Sequence, residues 1–388
     1  MEFAAFDAEA FLRDHWQQTP LLLKNPWREW RNPLEPDELA GLACEEEIES
    51  RLVIHDPKRA QWKLENGPLP EQRFGKLPAT HWTLLVQAVD QWVPEVAALL
   101  RPFRFIPNWR VDDVMVSYAT DRGGVGPHFD QYDVFLIQGN GRRRWQVGEY
   151  CGDDTELLPH QPLRLLKHFT PTQEWILEPG DILYLPPRYA HNGIAEGDDC
   201  MTYSVGFRAP SRADLVSHWC DQILSELSED DRYTDDVTLA GSTNPGEITT
   251  AALARLQRMA LERLSDSDAF RRWFGGYATT RKYPEFDDAP ETEIDAAKLE
   301  QRLRKGVALL KNPASRFAFI RNETATLLFA DGVELPCAAP LAELLCTETR
   351  FDAAAIDAVA ANNWTQAAAV LAGLYNQGTL VFEDETGA

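Results

Sequence analysis

Residues 124–147 read GVGPHFDQYDVFLIQGNGRRRWQV. A glycine-rich approach leads into His128-x-Asp130, an apolar run follows from Val134 to Ile137, and three consecutive arginines stand beyond Asn140-Gly141. Residues i and i+2 of an extended chain project to one face. An imidazole and a carboxylate can therefore reach a single ion from this segment. Asn-Gly is a strong short signal for a tight turn between strands. The spacing predicts a hairpin, with the strand after the ligands lying beside "RRRWQVG".

A third metal ligand has to come from elsewhere. The best candidate is His191, in the loop "RYAHNG" just past the apolar strand "DILYLPP". Two His and one carboxylate on one side of a metal form the facial triad of non-haem Fe(II) oxygenases, which leaves positions open for substrates. Zinc is the rival metal for the same donors. His160 and His168 are near enough in sequence to compete, but neither ends an apolar strand. An oxygenase of this type needs an electron donor such as 2-oxoglutarate, whose far carboxylate calls for a buried cation. In "GRRRWQV" Arg143 shares a face with Trp145 and Val147, so it is the arginine expected to point inward and clamp a carboxylate through its planar fork. Taken alone, the segment fits three solvated arginines equally well.

Around this segment, from Trp109 to Arg208, the chain reads as strands and turns: "VMVSYAT", "YDVFLIQ", "RRRWQVG", the pair "EWIL" and "DILYL" about Pro179-Gly180-Asp181, and "MTYSVGF". Many short antiparallel strands at this spacing predict a sandwich or barrel. The first hundred residues read as short helices with Pro-rich links. Phe11, Leu12, His15 and Trp16 fall at helical spacing, "TPLLLKNPW" holds a brief strand, and residues 78–103 are expected to form a helix with Trp82, Leu85, Val86, Val89 and Val93 on one face. Past Pro210 the pattern turns helical, with stripes at Leu215, Trp219, Ile223 and Leu227 and at Leu253, Leu256, Ala260 and Leu264. A polar loop (228–247) separates them and "YPEFDDAPETE" is a linker. The tail combines strands near Arg316–Ile320 and Thr326–Phe329, a turn at Asp331-Gly332, three short helices and a last strand, "TLVFE", as in a winged helix. The expected boundaries are 1–210, 211–285 and 286–388.

The 388 residues carry a formal net charge of -23. That argues against broad nucleic-acid binding, which needs a basic face, and suits a cationic partner. From Phe351 to Ala388 there is no Lys or Arg, so the tail has nothing to meet phosphate and no direct DNA binding is expected. Six scattered cysteines without a C-x-x-C pair fit reduced thiols and a cytoplasmic location. The N-terminus lacks the basic start and apolar core of a signal peptide, and no apolar run approaches the ~18 residues of a membrane span.

"GGVGPHFDQYDVFLIQGNGRRRW", "EPGDILYLPPRYAHNG" and "YSVGFRAP" closely resemble the bacterial JmjC-type ribosomal oxygenases, specifically the ribosomal protein arginine hydroxylases, and the likeness extends along the whole chain. The resemblance implies a mainly β double-stranded β-helix (cupin/JmjC) core, an α-helical dimerisation segment and a winged-helix-like α+β tail. It implies Fe(II) at His128, Asp130 and His191, with 2-oxoglutarate and molecular oxygen as cosubstrates and Arg143 holding the former. Ser117 and Thr202 are further cosubstrate contacts on this view. The family pattern often has Asn where Thr202 stands, and a hydroxyl is expected where this chain has Ala119. The implied reaction is hydroxylation of an arginine in protein sixteen of the large ribosomal subunit, by a homodimer. Asp112, Asp113, Asp121, Tyr118 and Tyr132 are candidates to receive the guanidinium. Rival readings are a JmjC histidine hydroxylase or lysine demethylase on another basic protein, a non-catalytic cupin binding protein, and a winged-helix regulator.

Overall fold

The computed structural model describes residues 1–159, 163–235, 244, 246–286, 288–321, 326–360 and 363–385; His160 and much of the polar loop fall outside them. The chain divides into two compact units, Met1–Ala209 and Pro210–Ala388.

The first unit begins with α1 (Ala8–Asp14), capped by the Asp7 side chain, then β1 (Leu21–Leu23) and α2 (Pro36–Leu42). Strands β2 (Ser50–Asp56), β3 (Gln61–Asn66) and β4 (Trp82–Val86) follow, then a one-turn α3 (Pro94–Ala97). The remaining strands are β5 (Val111–Ala119), β6 (Asp133–Asn140), β7 (Arg143–Tyr150), β8 (Gln173–Leu177), β9 (Ile182–Leu185), β10 (Tyr189–Ala195) and β11 (Cys200–Phe207). An eight-stranded antiparallel sheet has the order β1-β9-β6-β11-β5-β4-β2-β3, and a three-stranded sheet has the order β10-β7-β8. Alternation along the strands gives the large sheet two buried faces. Its outer face (Leu84, Val86, Val116, Phe135, Tyr184, Tyr203) packs under the N-terminal segments, while Val134, Leu136 and Leu183 meet Trp145, Val147 and Leu177 of the small sheet.

Three expectations need correction here. The predicted helix over 78–103 is instead strand β4, 3-10 turns and α3. Both faces of β4 are covered and both its edges are paired, to β2 and β5, so its apolar run has no strand-like alternation to read. The strand pair β2–β3 lies where short helices were expected. Finally, β6 and β7 do not form a hairpin, nor do β8 and β9. Each pair is split between the two sheets, and the turns at Gly141 (φ 62°) and Gly180 (φ 93°) carry the chain across the sandwich.

In the second unit, α4 (Arg212–Glu226), α5 (Thr250–Leu264) and α6 (Ser267–Thr279) precede α7 (Ala296–Arg304) and the short strand β12 (Leu309–Lys311). A meander of β13 (Phe317–Arg321), β14 (Thr326–Ala330) and β15 (Val333–Cys337) leads to α8 (Ala339–Thr347), β16 (Arg350–Phe351), α9 (Ala353–Val359), α10 (Trp364–Asn376) and β17 (Leu380–Phe382). The Asp331-Gly332 turn joins β14 to β15, a third strand absent from the sequence reading. Helix α6 packs on this meander, with the ring of Phe329 so close to Gly275 that a Cβ there would lie 2.4 Å from it. No helix among the described residues is long and apolar enough to cross a membrane.

Candidate active site

Among the described residues one group could hold a metal ion: His128, Asp130 and His191, whose ligand atoms lie within 4.8 Å of one another. His191 stands in β10, one strand from β7, rather than in the loop expected, and is 3% exposed. His128 joins that strand by an isolated bridge in which each His amide donates to the other's carbonyl, at 3.0 and 2.8 Å. The two rings sit 4.2 Å apart, centre to centre. Asp130 Oδ2 lies 3.6 Å from His191 Nε2 and 4.0 Å from His128 Nε2.

Each imidazole is oriented by a backbone carbonyl: Nδ1 of His128 faces Gly126 O and Nδ1 of His191 faces Tyr189 O, both at 2.9 Å. A protonated Nδ1 donating there leaves the Nε2 lone pair turned towards Asp130, the arrangement a metal ligand needs. Burial, reinforced by the neighbouring His128, pushes the His191 imidazolium down to about 4, so the ring is neutral and able to donate its lone pair. His168 is the side chain that exposure excludes: it lies at the surface beside Glu156.

Along β7 the inward face carries Arg143, Trp145 and Val147, paired with Ala195, Gly193 and His191 of β10. Arg143 is 4% exposed, whereas Arg142 is at the surface and Arg144 is turned to Glu196. The register puts Arg143 four residues from the His191 level, about 13 Å of strand. That span suits a short dicarboxylate stretched between the metal ligands and an arginine fork. Gly193 makes room for the Trp145 ring, which a Cβ at 193 would approach to 2.6 Å.

The unpaired polar atoms are the clearest sign of a ligand. Among the described residues the buried side-chain nitrogens and oxygens without a hydrogen-bond partner are Arg143 Nε and Nη2, Trp145 Nε1, Thr83 Oγ1 and, in the second unit, Gln377 Oε1. A buried cation with unsatisfied N–H groups is costly, and an anion seated against Arg143 removes that cost. Ser117 and Thr202 lie side by side on the inner face of the large sheet, both buried. Their hydroxyls are engaged in the sheet, Ser117 with Thr202 O at 3.5 Å and Thr202 with Gln138 Oε1 at 3.3 Å.

Three of the candidate substrate contacts already have partners within the protein. Asp113 is buried and accepts from Gln87 Nε2 and the Ala88 amide. Tyr118 packs on the outer-face core and donates to Asp199, Asp121 accepts from the Gly197 amide, and Asp112 is half-buried on β5. Tyr132, two residues from Asp130, is 43% exposed.

Comparison with known proteins agrees with this geometry. Residues 98–215 match the JmjC domain and residues 262–381 match the ROXA-like winged helix. The chain is 41% identical over 303 residues, 78% of its own length and 79% of the relative's, to the ribosomal protein uL16 3-hydroxylase of Escherichia coli (strain K12). It is 39% identical over 272 residues, 69% of its length and 66% of the relative's, to a probable ribosomal oxygenase of Haemophilus influenzae. The structure of the E. coli ribosomal oxygenase YcfD in complex with cobalt and 2-oxoglutarate superposes with a TM-score of 0.85 at 35% identity, covering 98% of this chain and 99% of that one. The fold, the metal-ligand set and the extent of these matches lead to one conclusion: the chain belongs to the bacterial JmjC-type ribosomal oxygenases.

Proposed function

We propose that this chain is an Fe(II)- and 2-oxoglutarate-dependent oxygenase that hydroxylates an arginine side chain of ribosomal protein uL16. The observation that carries the reading is the pairing of the His128–Asp130–His191 cluster with a buried Arg143, two of whose nitrogens lack a hydrogen-bond partner, further along the same strand pair. When bound, the iron and 2-oxoglutarate supply the oxidising chemistry: one oxygen atom of O₂ enters the substrate C–H bond, and the other enters succinate as CO₂ leaves. His128, Asp130 and His191 would hold the ion on one side. Arg143 would hold the far carboxylate, and the apolar walls of Val134, Leu136, Trp145 and Leu183 exclude bulk water. Ser117 and Thr202 line the same inner face and would position the cosubstrate through the sheet.

The net charge of -23 supports a basic ribosomal protein as substrate and cytoplasmic work on ribosomal components. The segment 211–285 is proposed to pair two copies. Leu224, Ile248, Leu253, Leu256 and Leu264 are 41–71% exposed in the single chain, and a two-fold interface would cover them. The 286–388 segment serves as a protein-facing module rather than a DNA reader. Mass spectrometry of ribosomal proteins from cells with and without the protein tests the reading. A gain of one oxygen on an arginine of uL16 that depends on the protein is expected; modification of a histidine or a lysine instead would favour the rival JmjC activities. Light scattering at micromolar concentration should give twice the 43.9 kDa chain mass.

A further inference from the structure

Strand β4 carries a hydroxyl that the fold leaves unused. Thr83 is 0% exposed and its Oγ1 has no partner. Its neighbours Leu84 and Val86 belong to the outer-face core, so alternation turns Thr83 to the inner face of the sheet. The register pairs Thr83 with Ala119 and Ala119 with Cys200. Ala119 and Cys200 pack together with Ala195, which is the register partner of Arg143 on the opposite sheet. Through Ala119, Cys200 and Ala195 the register carries Thr83 towards the Arg143 end of the site, and these three intervening side chains are themselves without oxygen. Both residues carry buried polar atoms without a hydrogen-bond partner, two guanidinium nitrogens of Arg143 and the hydroxyl of Thr83.

We propose that Thr83 is a cosubstrate-binding residue, donating its hydroxyl to the far carboxylate that Arg143 clamps. This rests on the 2-oxoglutarate reading above. Leaving a hydroxyl buried without a partner costs stability, and a carboxylate oxygen at this spot satisfies it. The role is local to the far end of the ligand, so it is separable from metal binding.

The test is calorimetric titration of the Mn(II)-loaded protein under nitrogen with 2-oxoglutarate and with oxalate, which reaches the metal but lacks a far carboxylate. Thr83→Val keeps the shape, breaks no existing hydrogen bond and removes an unpartnered hydroxyl, so the melting temperature of the ligand-free protein should not fall. Its Kd for 2-oxoglutarate should rise about ten-fold, the scale of one charge-assisted hydrogen bond, while oxalate binding stays unchanged. Thr83→Ser should bind both ligands as the wild type does. Unaltered 2-oxoglutarate affinity in Thr83→Val, an equal loss for both ligands, or a Ser variant as weak as the Val one would overturn the proposal. A wild-type protein that fails to bind 2-oxoglutarate overturns the cosubstrate reading itself.

Discussion

Replacing Arg143 with lysine probes the pocket where its physics is least ambiguous. The guanidinium is 4% exposed, with Nε and Nη2 unsatisfied, so the substitution breaks no hydrogen bond of either atom, gives up only the stacking over the Trp145 ring, and the fold should survive. Lysine keeps the positive charge and loses the planar fork, which gives up at least one charge-assisted hydrogen bond to the bound carboxylate. At about 1.5–3 kcal/mol per such bond, 2-oxoglutarate affinity should fall about 10- to 150-fold. The assay is anaerobic calorimetry on Mn(II)-loaded protein, with the metal-binding stoichiometry confirmed for each variant. The flanking arginines serve as controls. Arg142 is exposed, and the Arg144 side chain, 43% exposed, is committed to Glu196, so their lysine variants should bind within about two-fold of wild type. If Arg142→Lys or Arg144→Lys is the damaging change, the strand faces the other way in solution and the reasoning fails.

Alanine at His128, Asp130 or His191 should abolish 2-oxoglutarate turnover with the circular dichroism spectrum retained; wild-type turnover in any one of them removes that residue from the site. Raising salt from about 0.05 to 0.5 M shortens the Debye length from roughly 14 to 4 Å. It should weaken apparent affinity for the protein substrate severalfold while uncoupled 2-oxoglutarate decarboxylation changes far less; equal sensitivity would reduce the acidic surface to a solubility feature. Gly193→Ala forces a Cβ to within 2.6 Å of the buried Trp145 ring, so denaturant titration should show a loss of about 1–3 kcal/mol, and an unchanged midpoint would mean the ring has room to move. The two-pronged Arg73 guanidinium, helped by Lys63, holds the Glu65 carboxyl down from 4.5 to about 2. Because the folded value lies below the unfolded one, this stabilisation is present above pH 4.5 and is lost as pH falls towards 2. Arg73→Ala should therefore flatten the stability profile in that window, and an unaltered profile would show the pair contributes nothing there.

What the sequence revealed depended on how local each signal was. The inward turn of Arg143 was legible because Trp145 and Val147 repeat its face within five residues, and strand alternation needs no knowledge of the partner sheet. The assignment of β6 and β7 to different sheets was not legible. An Asn-Gly turn looks the same whether it closes a hairpin or crosses a sandwich, and what decides is the backbone of Asp199 and Cys200 pressed against Gly141, some sixty residues away. Strand β4 was hidden for a related reason: Thr83 and Leu85 face one layer, Trp82, Leu84 and Val86 the other, and their burial erases the polar half of the pattern. The buried hydroxyl of Thr83 could be recognised only when the register placed Ala119 beside it. His191 was found as a residue but misplaced as a loop, since Pro186-Pro187 before it reads as a break. The chain there in fact turns straight into β10.

The reciprocal amide bridge between His128 and His191 has a consequence for how the protein acquires its metal. Four hydrogen bonds, two between the backbones and one at each ring, orient both imidazoles. A cradle already shaped this way does not select among divalent ions by closing around the right one. Intrinsic affinity then follows the general order in which cobalt, nickel, copper and zinc all exceed ferrous iron. On that order, retention of ferrous iron would depend on its supply relative to its competitors where the chain folds. Protein made in cells flooded with zinc or nickel should emerge well folded, fully metallated and inert.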